Sequence, residues 1–164
     1  MLEFAAWLQA TPFSVAIQST LWLTPLLQSI HIVMIGVVFT SMLVVALRVL
    51  GQLNTDEPLA VVWRRFAPWF WTALSVMAAT GLVLCISEPI RQVTALSFWI
   101  KMSLLAIGIS SALYFGRVVA AQLGEPSGRA RFAAVATIFL WLAIMFMGRW
   151  IAYDVEIWES WHLA

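Results

Sequence analysis

The chain has 164 residues, 63% of them hydrophobic and only 10% charged, with a net charge of +1 and a mean hydropathy of +0.94. Soluble domains carry about 25% charged residues, so this chain is solvated mainly by lipid and reads as an all-α integral membrane protein. The balance excludes a nucleic-acid binder, since no basic cluster is present, and one cysteine, Cys85, permits neither an internal disulfide nor a zinc motif.

Residues 1–24 are apolar but interrupted by Gln9, Thr11, Pro12, Gln18, Ser19 and Thr24. They read as one or two short helices lying in the membrane interface, with Pro12 in a first helical turn. The start lacks a positive n-region and a small-residue cleavage site, so it is expected to stay in the mature protein.

The first span runs from about Pro25 to Leu50 and stops at Gly51, a good C-terminal residue for a helix. Its core, Leu26–Leu50, holds one imidazole, His31, and one basic group, Arg48. At about 1.5 Å per residue it is long enough to cross a bilayer. A polar connection, Gln52–Arg65, follows, with a short helix expected from Pro58 within Glu57–Phe66. The second span covers Pro68–Ser87, and Glu88–Ala95 is a loop. The third covers Leu96–Leu123 and the fourth Ala130–Ala152, separated by the breaker Gly124–Gly128. Residues 154–164 form an acidic, aromatic tail.

Short connections imply an up-down four-helix bundle over residues 25–153. The stripe Gly108, Ala112, Gly116 on the third span suits close helix packing within that bundle. Arg48, Arg64, Arg65, Arg117, Arg129 and Arg131 fall at one end, and Arg91, Lys101 and Arg149 at the other. Six against three places the first end in the cytoplasm and both termini outside, in a bacterial inner membrane. Arg48 and Arg117 are then expected to snorkel to the inner interface. Tryptophans mark both boundaries, with Trp141 the exception at mid-depth.

This orientation gathers His31, Glu88, Lys101 and Arg149 at the outer end. An ionisable group inside a span is a functional candidate by default. His31 suits a haem iron ligand, with Lys101 and Arg149 pairing with propionates. The bland alternative is that Lys101 and Arg149 snorkel, Glu88 caps a turn and His31 bonds a carbonyl. The remaining histidine, His162, sits in the tail and is a poor second ligand. Copper is the other metal option, with Met34, Cys85, Met102, Met145 and Met147 nearby, but no cluster of soft ligands faces solvent. A midplane ion pathway is disfavoured, since the spans carry no acidic group there.

His31, Leu47-Arg48-Val49-Leu50-Gly51, Thr80-Gly81, Phe98-Trp99-Ile100-Lys101 and Gly148-Arg149-Trp150-Ile151-Ala152-Tyr153 together resemble a group of small bacterial four-helix membrane proteins of unknown function. More distantly, the histidine, the arginine closing the first span and the lysine opening the third resemble HemJ-type protoporphyrinogen oxidases and the membrane part of CopD-type copper proteins. The HemJ-type resemblance implies a haem ligand at His31 and an activity role at Lys101; the extra N-terminal segments depart from it. The expectation is therefore a haem-b protein for electron transfer or oxidation of a quinol or porphyrin, with His31 as metal ligand and Lys101 and Arg149 at the reaction site. The alternatives are a cofactor-free subunit of a homo-oligomer or larger membrane complex, and a copper-handling protein.

Overall fold

The computed structural model describes residues 1–121 and 126–153, and every regular element among them is helical. Two short helices, α1 (Leu2–Gln9) and α2 (Pro12–Ser19), lead into α3 (Leu23–Val49), α4 (Leu59–Ser87), α5 (Pro89–Thr94), α6 (Leu96–Ala121) and α7 (Gly128–Trp150); a 3-10 turn, Ile151–Tyr153, follows. Four of them, α3, α4, α6 and α7, are long and apolar enough to cross a membrane, as the composition required. They form a ring in which α3 and α6 each pack between α4 and α7. The expected tail, with His162, lies outside the described residues.

The connection between α3 and α4 is shorter than expected. Residues 59–65 belong to α4, which runs without a break through Pro68. Pro68 removes the main-chain bond to the Arg64 carbonyl, and both residues are exposed, so the lost bond lies outside the core. The loop expected after α4 is also partly helical: Pro89 takes the first position of α5, where its missing N–H costs nothing. Gly128, expected in a breaker, instead opens α7, because the Ser127 hydroxyl accepts from the Ala130 N–H and caps the helix.

At Gly51 the φ is +74°. Gln52 N–H donates to the Leu47 carbonyl and Gly51 N–H to the Arg48 carbonyl, the paired bonds of a glycine-terminated helix. Arg48 does not simply snorkel. Its Nε and Nη2 donate to the Glu57 carbonyl at 2.9 and 2.7 Å, tying the end of α3 to the start of α4.

The core falls into two clusters, one at this Arg48 end and one at mid-depth. Val45, Ala46, Val49, Leu59, Val62, Phe115 and Ala134 form one buried cluster. A second, at mid-depth, is built around Val38, Met42, Phe70, Met77 and Trp141. Phe70 meets Trp71 and Trp141 edge-on, at 4.9 and 5.6 Å. The small-residue stripe of α6 serves this packing: Gly108 faces Ile144 and Trp141 of α7, Ala112 is buried, and Gly116 receives the ring of Trp63 from α4. Outward faces carry large apolar side chains such as Leu82, Tyr114, Phe132 and Phe139, as lipid contact requires.

At the opposite end α1 packs on α5, and α2 on α4. Their faces are inverted relative to a soluble protein. Ser14 is fully buried, while Phe4, Trp7, Phe13 and Val15 are more than half exposed. Ser14 Oγ donates to the Ile86 carbonyl at 2.8 Å, one of the last four carbonyls of α4 that have no partner within the helix. Ser14→Ala is therefore expected to cost about 1 kcal/mol, a fall of roughly 2–4 °C in the melting temperature of detergent-solubilised protein. An unchanged melt would mean that α2 does not hold that helix end.

Candidate functional site at the His31 end

His31 lies on α3 two turns from its start and faces Thr80 and Gly81 of α4. Its Nδ1 is 2.9 Å from Thr80 Oγ1. The Thr80 hydroxyl has one proton, and it goes to the helix carbonyls of Val76 and Met77, at 3.0 and 3.1 Å. With that hydrogen engaged, Oγ1 offers an acceptor to Nδ1–H, and the Met77 main chain also hydrogen-bonds the ring. With Nδ1 donating, the imidazole lone pair lies on Nε2. Gly81 makes the approach possible: a Cβ there would lie 3.2 Å from His31 Cε1. The pair Thr80-Gly81 is thus a hydroxyl and a notch, one orienting the ring and the other admitting it.

Lys101 reaches across the bundle from α6. A Cβ on Gly148 of α7 would stand 3.5 Å from its Nζ. The side chain therefore turns inward and does not snorkel. A small pocket that Lys101 lines, with Met77 and Trp141, has a volume of about 20 Å³, room for about one water molecule. Trp141 Nε1, on a side chain only 2% exposed, has no hydrogen-bond partner.

Of the four groups expected at this end, His31 turns toward α4 and Lys101 toward α7, while Glu88 and Arg149 stay on the surface. Glu88 makes no side-chain cap and pairs instead with Arg91 on the surface. Arg149 is exposed, with its guanidinium 5.6 Å over the Tyr153 ring and Nη2 3.4 Å from the hydroxyl. Each partner lies three or four residues away along the same stretch of chain, which is why neither charge needs the centre of the bundle.

Burial differs between the two ends. At the Arg48 end Val45, Ala46, Val49 and Val62 are buried, whereas Leu27, His31, Met34, Leu84, Cys85, Lys101 and Met145 at this end are half-buried; beneath α1, α2 and α5, Ser14, Ser87 and Ser97 are buried at this end as well. No group of three or more His, Cys, Asp or Glu able to hold a metal ion occurs among the described residues.

Sequence reasoning reached His31 and Lys101 through their charge inside spans. It quoted Thr80-Gly81 only as part of a family-like pattern. A small hydroxyl residue followed by glycine in an apolar helix is the signal that a polar ring docks there. Trp141 was noticeable as the tryptophan away from either boundary.

The chain belongs to a family of unknown function, DUF6644, whose profile matches residues 13–154. No curated protein matches it, and no solved structure does.

Proposed function

We propose that this member of the family binds haem b through His31 Nε2, at the outer face of a bacterial inner membrane, as an electron-transfer or oxidising protein for a hydrophobic substrate such as a quinol or porphyrin. The observation that carries the reading is the oriented imidazole: Nδ1 lies 2.9 Å from Thr80 Oγ1, whose hydrogen is engaged by helix carbonyls, an arrangement that puts the lone pair on Nε2. An axial histidine is arranged in this way, its second nitrogen engaged by an acceptor. A several-ligand copper site is less well supported, since no group of three or more His, Cys, Asp or Glu is found at this end among the described residues.

The donor chemistry fits the group, and the space around it sets where it goes. The small pocket beside Lys101 admits no macrocycle, so a haem would have to be held among the half-buried outer turns of the bundle. Bound there, haem supplies one-electron redox chemistry. His31 supplies the ligand and Thr80 its orientation, while the exposed cation of Arg149 on the rim suits a propionate. The surrounding apolar side chains limit the access of water. The excess of arginines at the Arg48 end supports the outward placement of the His31 end.

The test is the absorption spectrum of the purified, detergent-solubilised chain. A Soret band that disappears in His31→Ala is the expected result, with iron and not copper in elemental analysis. A colourless, metal-free preparation from haem-replete cells overturns the reading and favours a subunit that works only by packing against a partner.

A further inference from the structure

Arginines gather at the Arg48 end of the bundle, and the structure gives them different work. Arg48 donates to the Glu57 carbonyl, and Arg65 pairs with the Glu57 carboxylate at 3.0 Å, so both serve the α3–α4 connection. Arg64 of α4 and Arg117 of α6 are exposed and stand beside a different contact. Each comes one residue after a member of it: the Trp63 ring of α4 packs onto Gly116 of α6. That contact sets which sides of the two helices face each other and at what level.

Chain direction then decides where the two arginines go. α4 runs away from this end and α6 returns toward it, so the helices are antiparallel. One step along a helix turns the side chain by about 100°. In an antiparallel pair the two turns carry Arg64 and Arg117 to the same flank of the α4–α6 seam. Helical side chains also lean toward the N-terminus of their own helix. Arg64 therefore leans toward this end of the bundle and Arg117 away from it, which brings their heads to one level. Deeper along the same flank the stripe is apolar or small, with Ala67 and Trp71 on α4 and Leu113 and Ser110 on α6, at helical spacings of three, four and seven from the arginines. The Ser110 hydroxyl is already bonded to the Ala106 carbonyl. Two cations thus sit at the mouth of a lipid-facing apolar stripe.

We propose that this seam binds one anionic phospholipid, its phosphodiester held between Arg64 and Arg117 and an acyl chain lying along the stripe. Guanidinium forks match the oxygens of a phosphate and form charge-assisted bonds to it. Basic residues beside a seam between spans are placed to take such a headgroup. The charge selects among lipids. Phosphatidylglycerol brings one negative charge and nothing to offset it, whereas the choline of phosphatidylcholine would set a third cation beside two. The site lies at the opposite end of the bundle from His31, and it depends neither on haem nor on which end faces the cytoplasm.

The test uses the full chain in mixed micelles, with dioleoylphosphatidylglycerol replacing dioleoylphosphatidylcholine at constant ionic strength and equal total lipid. A saturable rise in melting temperature is expected, roughly 5 °C when phosphatidylglycerol far exceeds its dissociation constant. Native mass spectrometry from an equal mixture of the two lipids should retain phosphatidylglycerol in preference. Arg64→Gln and Arg117→Gln should each weaken that binding roughly tenfold or more, and the double variant should remove the preference. Arg65→Gln should keep it, since Arg65 is one step further round α4 and paired with Glu57. Both arginines of the seam are exposed, so their loss leaves the core intact, and either single variant carries the test if the double one does not fold. Equal melting in the two lipids overturns the proposal, as does a double variant that still prefers phosphatidylglycerol or an Arg65→Gln chain that loses the preference. An equal rise with inorganic phosphate in phosphatidylcholine micelles also overturns it, because the anion would then bind without the acyl stripe.

Discussion

Gly116→Val is expected to destabilise the bundle by about 3 kcal/mol, a fall of roughly 6–12 °C in melting temperature, while Gly36→Val changes stability by less than about 0.5 kcal/mol. Both glycines lie in membrane-spanning helices, so intrinsic propensity does not separate them. Their surroundings do. A Cβ on Gly116 would stand within bonding-like distance of the Trp63 ring, whereas a Cβ on Gly36 meets nothing within 4 Å. Trp63 is a large, rigid ring on α4, and α4 is tied to α3 through the Arg48 bonds to Glu57. The ring cannot retreat without moving the helix pair, so the clash falls on the α4–α6 contact. Thermal unfolding of the two variants in the same detergent checks the contrast. Equal losses would show that the stripe on α6 does not receive α4.

The second large effect is at the imidazole. Thr80→Val keeps the shape of the side chain and removes the acceptor for His31 Nδ1–H. Haem retention is expected to fall by about 10–100-fold in affinity, as when the partner of a ligating histidine is lost. The ring hydrogen is left without Oγ1, which costs about 1–3 kcal/mol if no other acceptor replaces it. Thr80→Ser restores the hydroxyl and should restore binding, because a serine in a helix makes the same bond to a carbonyl one turn back. The readout is Soret absorbance per mole of protein during haem titration. If Thr80→Val binds like the parent chain, the hydroxyl does not set the tautomer, and the haem reading loses its main support.

Much of the fold was legible because a bilayer leaves few choices. Long apolar runs had to be helices that satisfy their own main chain, and Gly51 and the short connections marked where they turn. The interfacial character of residues 1–24 was legible from broken hydrophobicity. The inversion of α2 was not: which face docks depends on the carbonyl of Ile86, a main-chain group that side-chain patterns do not announce. Arg48 illustrates the same blindness, since it too binds a main-chain carbonyl. Pro68 misled for a different reason. A proline near the end of a span reads as a helix start, yet the helix passes through it where the freed carbonyl is exposed.

At the candidate site, depth was readable and direction was not. Grouping basic residues by end put His31, Glu88, Lys101 and Arg149 at one level. It said nothing of where each side chain turns. Glu88 and Arg149 found partners close by in the chain, Arg91 and Tyr153, while Lys101 crossed to Gly148. Short-range pairing competes with convergence, and a list of charges at one depth does not show which wins.

The graded burial along the bundle has a consequence for exchange kinetics. Opening free energy follows the density of buried contacts. The first turns of α3, exposed or half-buried throughout, should therefore breathe while the Arg48 end and the clamped end of α4 stay shut. Amides there should exchange with solvent well before those around Val45 and Val62, which are almost fully buried. A molecule could then enter and leave beside His31 on the timescale of local fraying, without the four helices ever parting.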